Sequence, residues 1–222
     1  FFKQKTAYEI GTGDWSSDVC SSDLQANRLG CPVVFDPVGV GASRFRNETA
    51  AMLLREVRFD VIKGNISEIA YLAEGIGTTK GVDANLDALS TEGNLCWHTD
   101  LARKVSTQTG AAIVISGPID IVADSHEAWA IRNGHPMMAN ITGTGCMSAG
   151  VIGCCVGADP QALLPSCVCA MSAMGICGEL AYEKLLSVDG GSGTYRVLLM
   201  DAMSKLDGAT LTRRSKAERL RI

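Results

Sequence analysis

Three short segments hold residue types that can do chemistry. The most informative is Thr142, Gly143, Thr144, Gly145, Cys146, which leads into a run of small apolar residues with helical character. Two glycines let the backbone approach a ligand closely. A helix that starts there presents unpaired N–H groups and the positive end of its dipole, which makes an anion site. Gly143, Thr144 and Gly145 form the expected anion hole. A γ-phosphoryl group lying there would have the charge on its oxygens stabilised during transfer. Cys146 falls in the first helical turn, where the dipole favours an anion. It is the candidate general base for the proton of an attacking alcohol. The plain alternative is a tight turn followed by a buried cysteine.

The second segment runs from Asp36 to Ala42 as DPVGVGA and follows a short apolar run. Asp36 is placed to reach Mg²⁺ or its waters, and Gly39 and Gly41 permit close backbone approach. The alternative is an ordinary Asp-Pro turn. The third segment is Lys63, Gly64, Asn65, Ile66, Ser67, Glu68. It offers a cation for phosphate and a carboxylate for metal-bound water. Read plainly, it is a helix cap beside a solvated lysine. No GxxxxGK[ST] pattern occurs, so a phosphate site in this chain is not built as a P-loop.

These segments need elements to position them. Residues 31–35, 59–63 and 111–116 read as buried strands, and 119–123 with 128–132 as a hairpin around Asp124, Ser125 and His126. Helical spacing appears over 47–57, 66–73, 96–109, 146–156 and 194–206, and over 160–186 with a break expected at Pro165. Asn65 and Glu68 have the spacing of a capping box, Gly110 stops a helix, and residues 75–94 read as a loop. Apolar strands separated by helices indicate an α/β fold with a mostly parallel sheet covered on both faces. In such sheets ligands bind beyond the carboxyl ends of the strands, where Asp36, Gly64, Asn65, Ser116, Gly117 and the Gly143 turn all fall.

Composition narrows the class. The chain has 222 residues, 46% hydrophobic and 20% charged, with a net charge of -4. That provides a sizeable core and no general affinity for nucleic acid. Arg213, Arg214, Lys216, Arg219 and Arg221 read as a solvated basic tail at residues 209–222. Nine cysteines without zinc spacing or a disulfide pattern indicate a reducing, cytoplasmic compartment. Cys154, Cys155, Cys167, Cys169 and Cys177 read as small buried hydrophobes. No apolar run reaches about 18 residues, so no membrane association is expected.

Residues 1–24 differ from the rest: they lack periodicity and contain the near-repeat SSDV and SSDL. They read as a non-native or disordered leader resembling translated adapter DNA fused to a truncated frame, ahead of one α/β domain at 25–208.

Taken together, DPVGVGASRFR (36–46), KGNISE (63–68), ISG (115–117) and TGTGC (142–146) resemble the hydroxyethylthiazole kinases of thiamine biosynthesis and salvage, within the ribokinase-like fold. The resemblance runs from about residue 25 to 206 and implies roles. Lys63 and Ser116 match ATP-contacting positions, where many relatives carry Arg and Thr. Gly143 matches a substrate-contacting glycine, and Asp36 and Glu68 match acidic positions around Mg²⁺. Cys146 stands where most ribokinase-like enzymes carry a catalytic Asp. The implied reaction is ATP-dependent phosphorylation of the hydroxyl of 4-methyl-5-(2-hydroxyethyl)thiazole by a homotrimer. Strands that precede DPVGVGA in the family are expected to be missing, leaving the sheet incomplete at its N-terminus. Two other readings stay open: a kinase for another small alcohol such as hydroxymethylpyrimidine, and an inactive nucleotide-binding fragment.

Overall fold

The computed structural model describes residues 21–74 and 92–221. The expected loop at 75–94 lies mostly outside the described residues, as do positions 1–20 of the expected leader. The first described helix, Ser21–Leu29 (α1), spans the expected boundary between 24 and 25, and Leu24 packs against the core.

Among the described residues six strands form a single sheet in sequence order: Val34–Phe35 (β1), Val61–Asn65 (β2), Ala112–Ser116 (β3), Asp120–Ala123 (β4), Ala128–Ile131 (β5) and Ala217–Arg219 (β6). β1, β2 and β3 are parallel, with Val34 opposite Val61 and Asn65 opposite Ser116. From β3 onward every pairing is antiparallel. The sheet is therefore mixed, and the expectation of a mostly parallel sheet holds only for its first half. For the β3–β4 and β4–β5 pairs the reason is connection length. A parallel crossover needs a dozen or more residues, whereas residues 117–119 and 124–127 are short enough only for hairpins. Asp124 closes the second hairpin, its Oδ1 accepting the N–H groups of His126 at 2.7 Å and Glu127 at 2.8 Å.

The strands alternate between two buried faces. Ile113, Ile115 and Ile121 pack with Ala50 of Arg44–Glu56 (α2), Ile69 of Ile66–Ala73 (α3) and Val105 of Leu95–Thr109 (α4). Ala112, Val114 and Val122 pack with Ile152 of Thr144–Ala158 (α5) and Cys167 of Leu163–Leu185 (α6). Period-2 alternation within an apolar strand is what burial on both faces requires. The Asn65–Glu68 capping box is present, as the spacing predicts, and Gly110 caps α4.

Elsewhere the structure departs from the sequence reading. Pro165 does not break α6. It lies in the first turn, where its missing N–H has no intrahelical partner to lose. α6 is the one described helix long and apolar enough to cross a membrane, by length and composition only; 61% of its apolar window is buried within the protein. Of the cysteines read as buried, Cys167 and Cys177 are, Cys155 is half-buried, and Cys154 and Cys169 are exposed. Residues of the basic tail form Gly208–Arg214 (α8) and β6. Several basic side chains there find acids: Arg214 pairs with Glu183 at 2.6 Å, Lys216 with Glu179 at 2.8 Å and Arg219 with Glu127 at 2.6 Å.

A third cluster forms where α6 meets Ser192–Lys205 (α7) and the short helix Pro136–Asn140, and there the Tyr195 hydroxyl donates to the Gly178 carbonyl at 2.9 Å. Two glycines of α6 set the approach to residues 133–138. A Cβ on Gly175 would lie 2.6 Å from the Asn133 carbonyl, and one on Gly178 would collide with Met138 Sδ. Gly175→Ala is expected to cost about 2 kcal/mol and to lower Tm by roughly 4–8 °C. Thermal denaturation checks this; an unchanged Tm would mean that the backbone at Asn133 gives way freely.

Candidate active site

Lys63 sits in β2, buried on both sides by apolar strands and only 4% exposed. The reading of a merely solvated lysine is therefore overturned. Its Nζ donates to the Gly145 carbonyl at 3.1 Å and pairs with Asp36 Oδ2 at 3.3 Å. One amine thus joins the end of β1, the middle of β2 and the first turn of α5. All three sequence-identified segments meet at this point.

Asp36 follows β1 directly. Burial raises its carboxyl above the usual carboxylate range, Lys63 opposes that rise, and the nearby Glu68 charge adds to it. The loop after Asp36 turns at Gly39, whose φ of 73° is left-handed and open to glycine at no steric cost. Its N–H donates to Glu68 Oε1 at 2.7 Å, while the Asn65 N–H donates to Glu68 Oε2 at 2.8 Å. Glu68 is therefore a clamp: it completes the capping box of α3 and fastens the Asp36 loop to it.

Two neighbouring carboxylates with hard oxygen donors suit Mg²⁺. The unfavourable Glu68 charge beside Asp36 is what a divalent cation would relieve. Asp36 would hold it directly. Glu68, already accepting two backbone N–H groups, would reach it through water. Among the described residues no three His, Cys, Asp or Glu side chains converge on a metal position. Such an ion would fill its shell with water and ligand oxygens, as Mg²⁺ commonly does.

Gly143 is the N-cap of α5 with a φ of 99°, and space for a Cβ around it is open. The Gly143 carbonyl accepts the Met147 N–H at 2.9 Å, which leaves the N–H groups of the first turn facing outward. Cys146 is in that turn and exposed, so it is not the buried cysteine of the plain alternative. The Thr144 hydroxyl donates to the Met138 carbonyl at 3.4 Å, and buried Ser148 donates to the Gly145 carbonyl at 2.6 Å. The Gly145 carbonyl therefore accepts from both Ser148 and Lys63, which fixes the pitch of the turn.

A cavity of about 550 Å³ opens beside it, lined by Ser116, Gly117, Asp120, His135, Thr144 and Gly145 among others. Ser116 ends β3, half-buried, and its hydroxyl donates to the Gly64 carbonyl at 3.4 Å. Asp120 begins β4 and is buried; its Oδ1 accepts the Gly117 N–H at 2.9 Å. Burial pushes its carboxyl up to about 7, against the pull of that N–H and of Lys63. Sequence reasoning missed Asp120. The available signal was an acid heading the otherwise apolar strand DIVA. It also missed His135, which stacks on Tyr182 with ring centroids 3.5 Å apart while its Nδ1 accepts the Met137 N–H. No local pattern marked that residue.

The fold and this arrangement define a ribokinase-like α/β protein. Against a solved pyridoxal kinase from Staphylococcus aureus the chain has a TM-score of 0.51 at 14% identity, covering 86% of this chain and 62% of that one, a likeness of fold alone. It belongs to the hydroxyethylthiazole kinase family, whose model matches residues 10–209. The hydroxyethylthiazole kinase of Desulfovibrio desulfuricans is 51% identical over 227 residues, spanning 97% of this chain and 80% of that protein. The one from Clostridium acetobutylicum is 46% identical over 206 residues, covering 91% and 75%. A solved hydroxyethylthiazole kinase from Pyrococcus horikoshii superposes with a TM-score of 0.76 at 27% identity, covering 96% of this chain and 75% of that one.

The Lys63–Asp36 pair lends itself to a double-mutant cycle. Lys63→Met is expected to destabilise by roughly 3 kcal/mol, because it strands a largely buried carboxylate. Lys63→Met combined with Asp36→Asn should recover part of that loss. Urea denaturation of the four proteins checks the cycle, and strict additivity would show that the pair is not coupled.

Proposed function

We propose that this chain transfers the γ-phosphoryl group of ATP to the hydroxyl of 4-methyl-5-(2-hydroxyethyl)thiazole, a step of thiamine biosynthesis and salvage. The observation that carries the reading is the junction at Lys63, where the helix N-terminus at Thr144, the Asp36 carboxylate and the cavity edge at Gly145 come together. Family membership supplies the substrate.

In this reading the polyphosphate lies along the cavity, with Ser116 near its oxygens and the γ-phosphoryl group over the N–H groups of Thr144 and Gly145. Lys63 contributes positive charge from beneath the turn. Gly143 leaves room for the thiazole alcohol. The alcohol oxygen attacks phosphorus, the bond to the β-γ bridging oxygen breaks, and ADP leaves; the alcohol proton passes to Cys146 as general base. Asp36, and Glu68 through water, would hold Mg²⁺, which would supply charge neutralisation on the phosphates. Catalysis is then mainly positioning and electrostatics.

A cytoplasmic homotrimer is part of the same proposal. The exposed apolar side chains Phe45, Val197 and Met200, and the absence of any charged residue from the half-exposed helix α5, support burial against further protein.

ADP release with Mg²⁺-ATP and the thiazole alcohol tests the function, with hydroxymethylpyrimidine as the comparison substrate. Turnover only with the pyrimidine, or with neither, would overturn it. Cys146→Ala is expected to lower kcat by about 10²–10⁴ while changing ATP affinity little, and Cys146→Asp should restore part of the rate. An unchanged kcat in Cys146→Ala would remove the thiol from the mechanism.

A further inference from the structure

The cavity beside the turn is lined by an acid and by no strong base. Among the described residues that line it, Asp120 is the single carboxyl group, and neither Lys nor Arg is one of them. It is 8% exposed, and among the described residues no ion pair reaches it. Among the described residues its carboxylate has one hydrogen-bond partner, the Gly117 N–H, which donates to Oδ1. Ile131 stands opposite Asp120 on β5, and the groups that line the cavity with it are mostly uncharged: α5 brings Thr144, Gly145 and Ser148, and α6 brings Met171 and Met174. Lys63 is the cation whose field reaches Asp120, and its amine is already held by Asp36 and the Gly145 carbonyl. His135 lines the same cavity.

A nucleotide polyphosphate in this space would put several negative charges near a buried carboxylate. At low effective dielectric that repulsion is severe, and a proton on the carboxylate is the simplest relief. We infer that Asp120 is the proton-linked residue of the nucleotide subsite: it binds the polyphosphate as a neutral acid, with Oδ1 still accepting the Gly117 N–H and the Oδ2 hydroxyl free to donate to the ligand. The inference rests on the nucleotide reading of the cavity given above.

Burial, against the pull of the Gly117 N–H and of Lys63, already holds the Asp120 carboxyl at about 7, so the free protein is partly ionised near neutrality. A bound anion raises it further. Binding therefore takes up a proton, and affinity is greatest below the free-state value and falls as pH rises through it. Asp120→Asn removes this dependence. The amide is nearly the same size, its oxygen still accepts the Gly117 N–H, and its nitrogen donates as the acid does.

The test is calorimetric titration of the full chain and of Asp120→Asn with Mg²⁺-ADP, without any alcohol, in two buffers of different ionisation enthalpy. The expected result is fractional proton uptake in the parent protein near neutrality, with affinity about threefold or more weaker at about pH 8.5 than at about pH 7. Asp120→Asn should show neither effect and should bind at the higher pH at least as tightly as the parent. A flat profile in the parent overturns the inference without recourse to the variant, as does equal proton uptake in both proteins. Absence of ADP binding at both pH values overturns the nucleotide reading itself, and this inference falls with it.

Discussion

The amine of Lys63 lies inside a hydrophobic sheet, and an ammonium group removed from water costs several kcal/mol unless it finds charge and acceptors. It finds both: Asp36 at the end of β1 and the Gly145 carbonyl in the first turn of α5. Neither partner is near Lys63 in sequence. Their meeting requires β1 and β2 to run parallel in register and α5 to pack on the face of the sheet with its first turn at Lys63. The same contacts that satisfy a buried charge thus bring an acid, a cation and a helix N-terminus to one place. A Cβ on Gly145 would approach the amine to 3.3 Å, so the glycine at that position has a packing reason as well as a conformational one.

Around this junction the polar groups are fastened in pairs. Glu68 ties the Asp36 loop to α3 through two backbone N–H groups, and Asp120 ties the turn after β3 to the start of β4. Ser148 and Thr144 fix the turn at the head of α5 from either side. A phosphoryl-transfer site needs such rigidity, because its catalytic power comes from dipoles that do not reorganise during reaction. On the far side, α6 is drawn onto residues 133–138 by its glycines, and that packing shapes the wall of the cavity.

The two acids near the junction differ in a way that residue type alone does not reveal. Asp36 has a cation at hydrogen-bond distance and a second carboxylate beside it, a setting suited to a metal ion. Asp120 has a backbone N–H and apolar neighbours, a setting suited to a proton. Identical side chains therefore divide between two tasks according to what surrounds them.

Much of this was legible in the order of residues. The apolar strands, the Asn65–Glu68 cap, the Gly110 stop, the hairpin around Asp124 and the turn at Gly143 are local patterns, and local patterns are set by backbone sterics and nearby hydrogen bonds. The four motifs that identify the family are local as well. Tertiary structure alone decided that Lys63 is buried rather than solvated, that Glu68 spends both oxygens on backbone N–H groups, and that Cys146 is open to solvent. It also decided that the basic C-terminal run supplies the last strand of the sheet, antiparallel to β5. Several of these properties depend on partners far along the chain, 29 positions for the Gly39–Glu68 contact and 82 for the Lys63–Gly145 contact. Charge, burial and hydrogen-bond supply at a residue are fixed by such distant neighbours, and no periodicity within a segment records them.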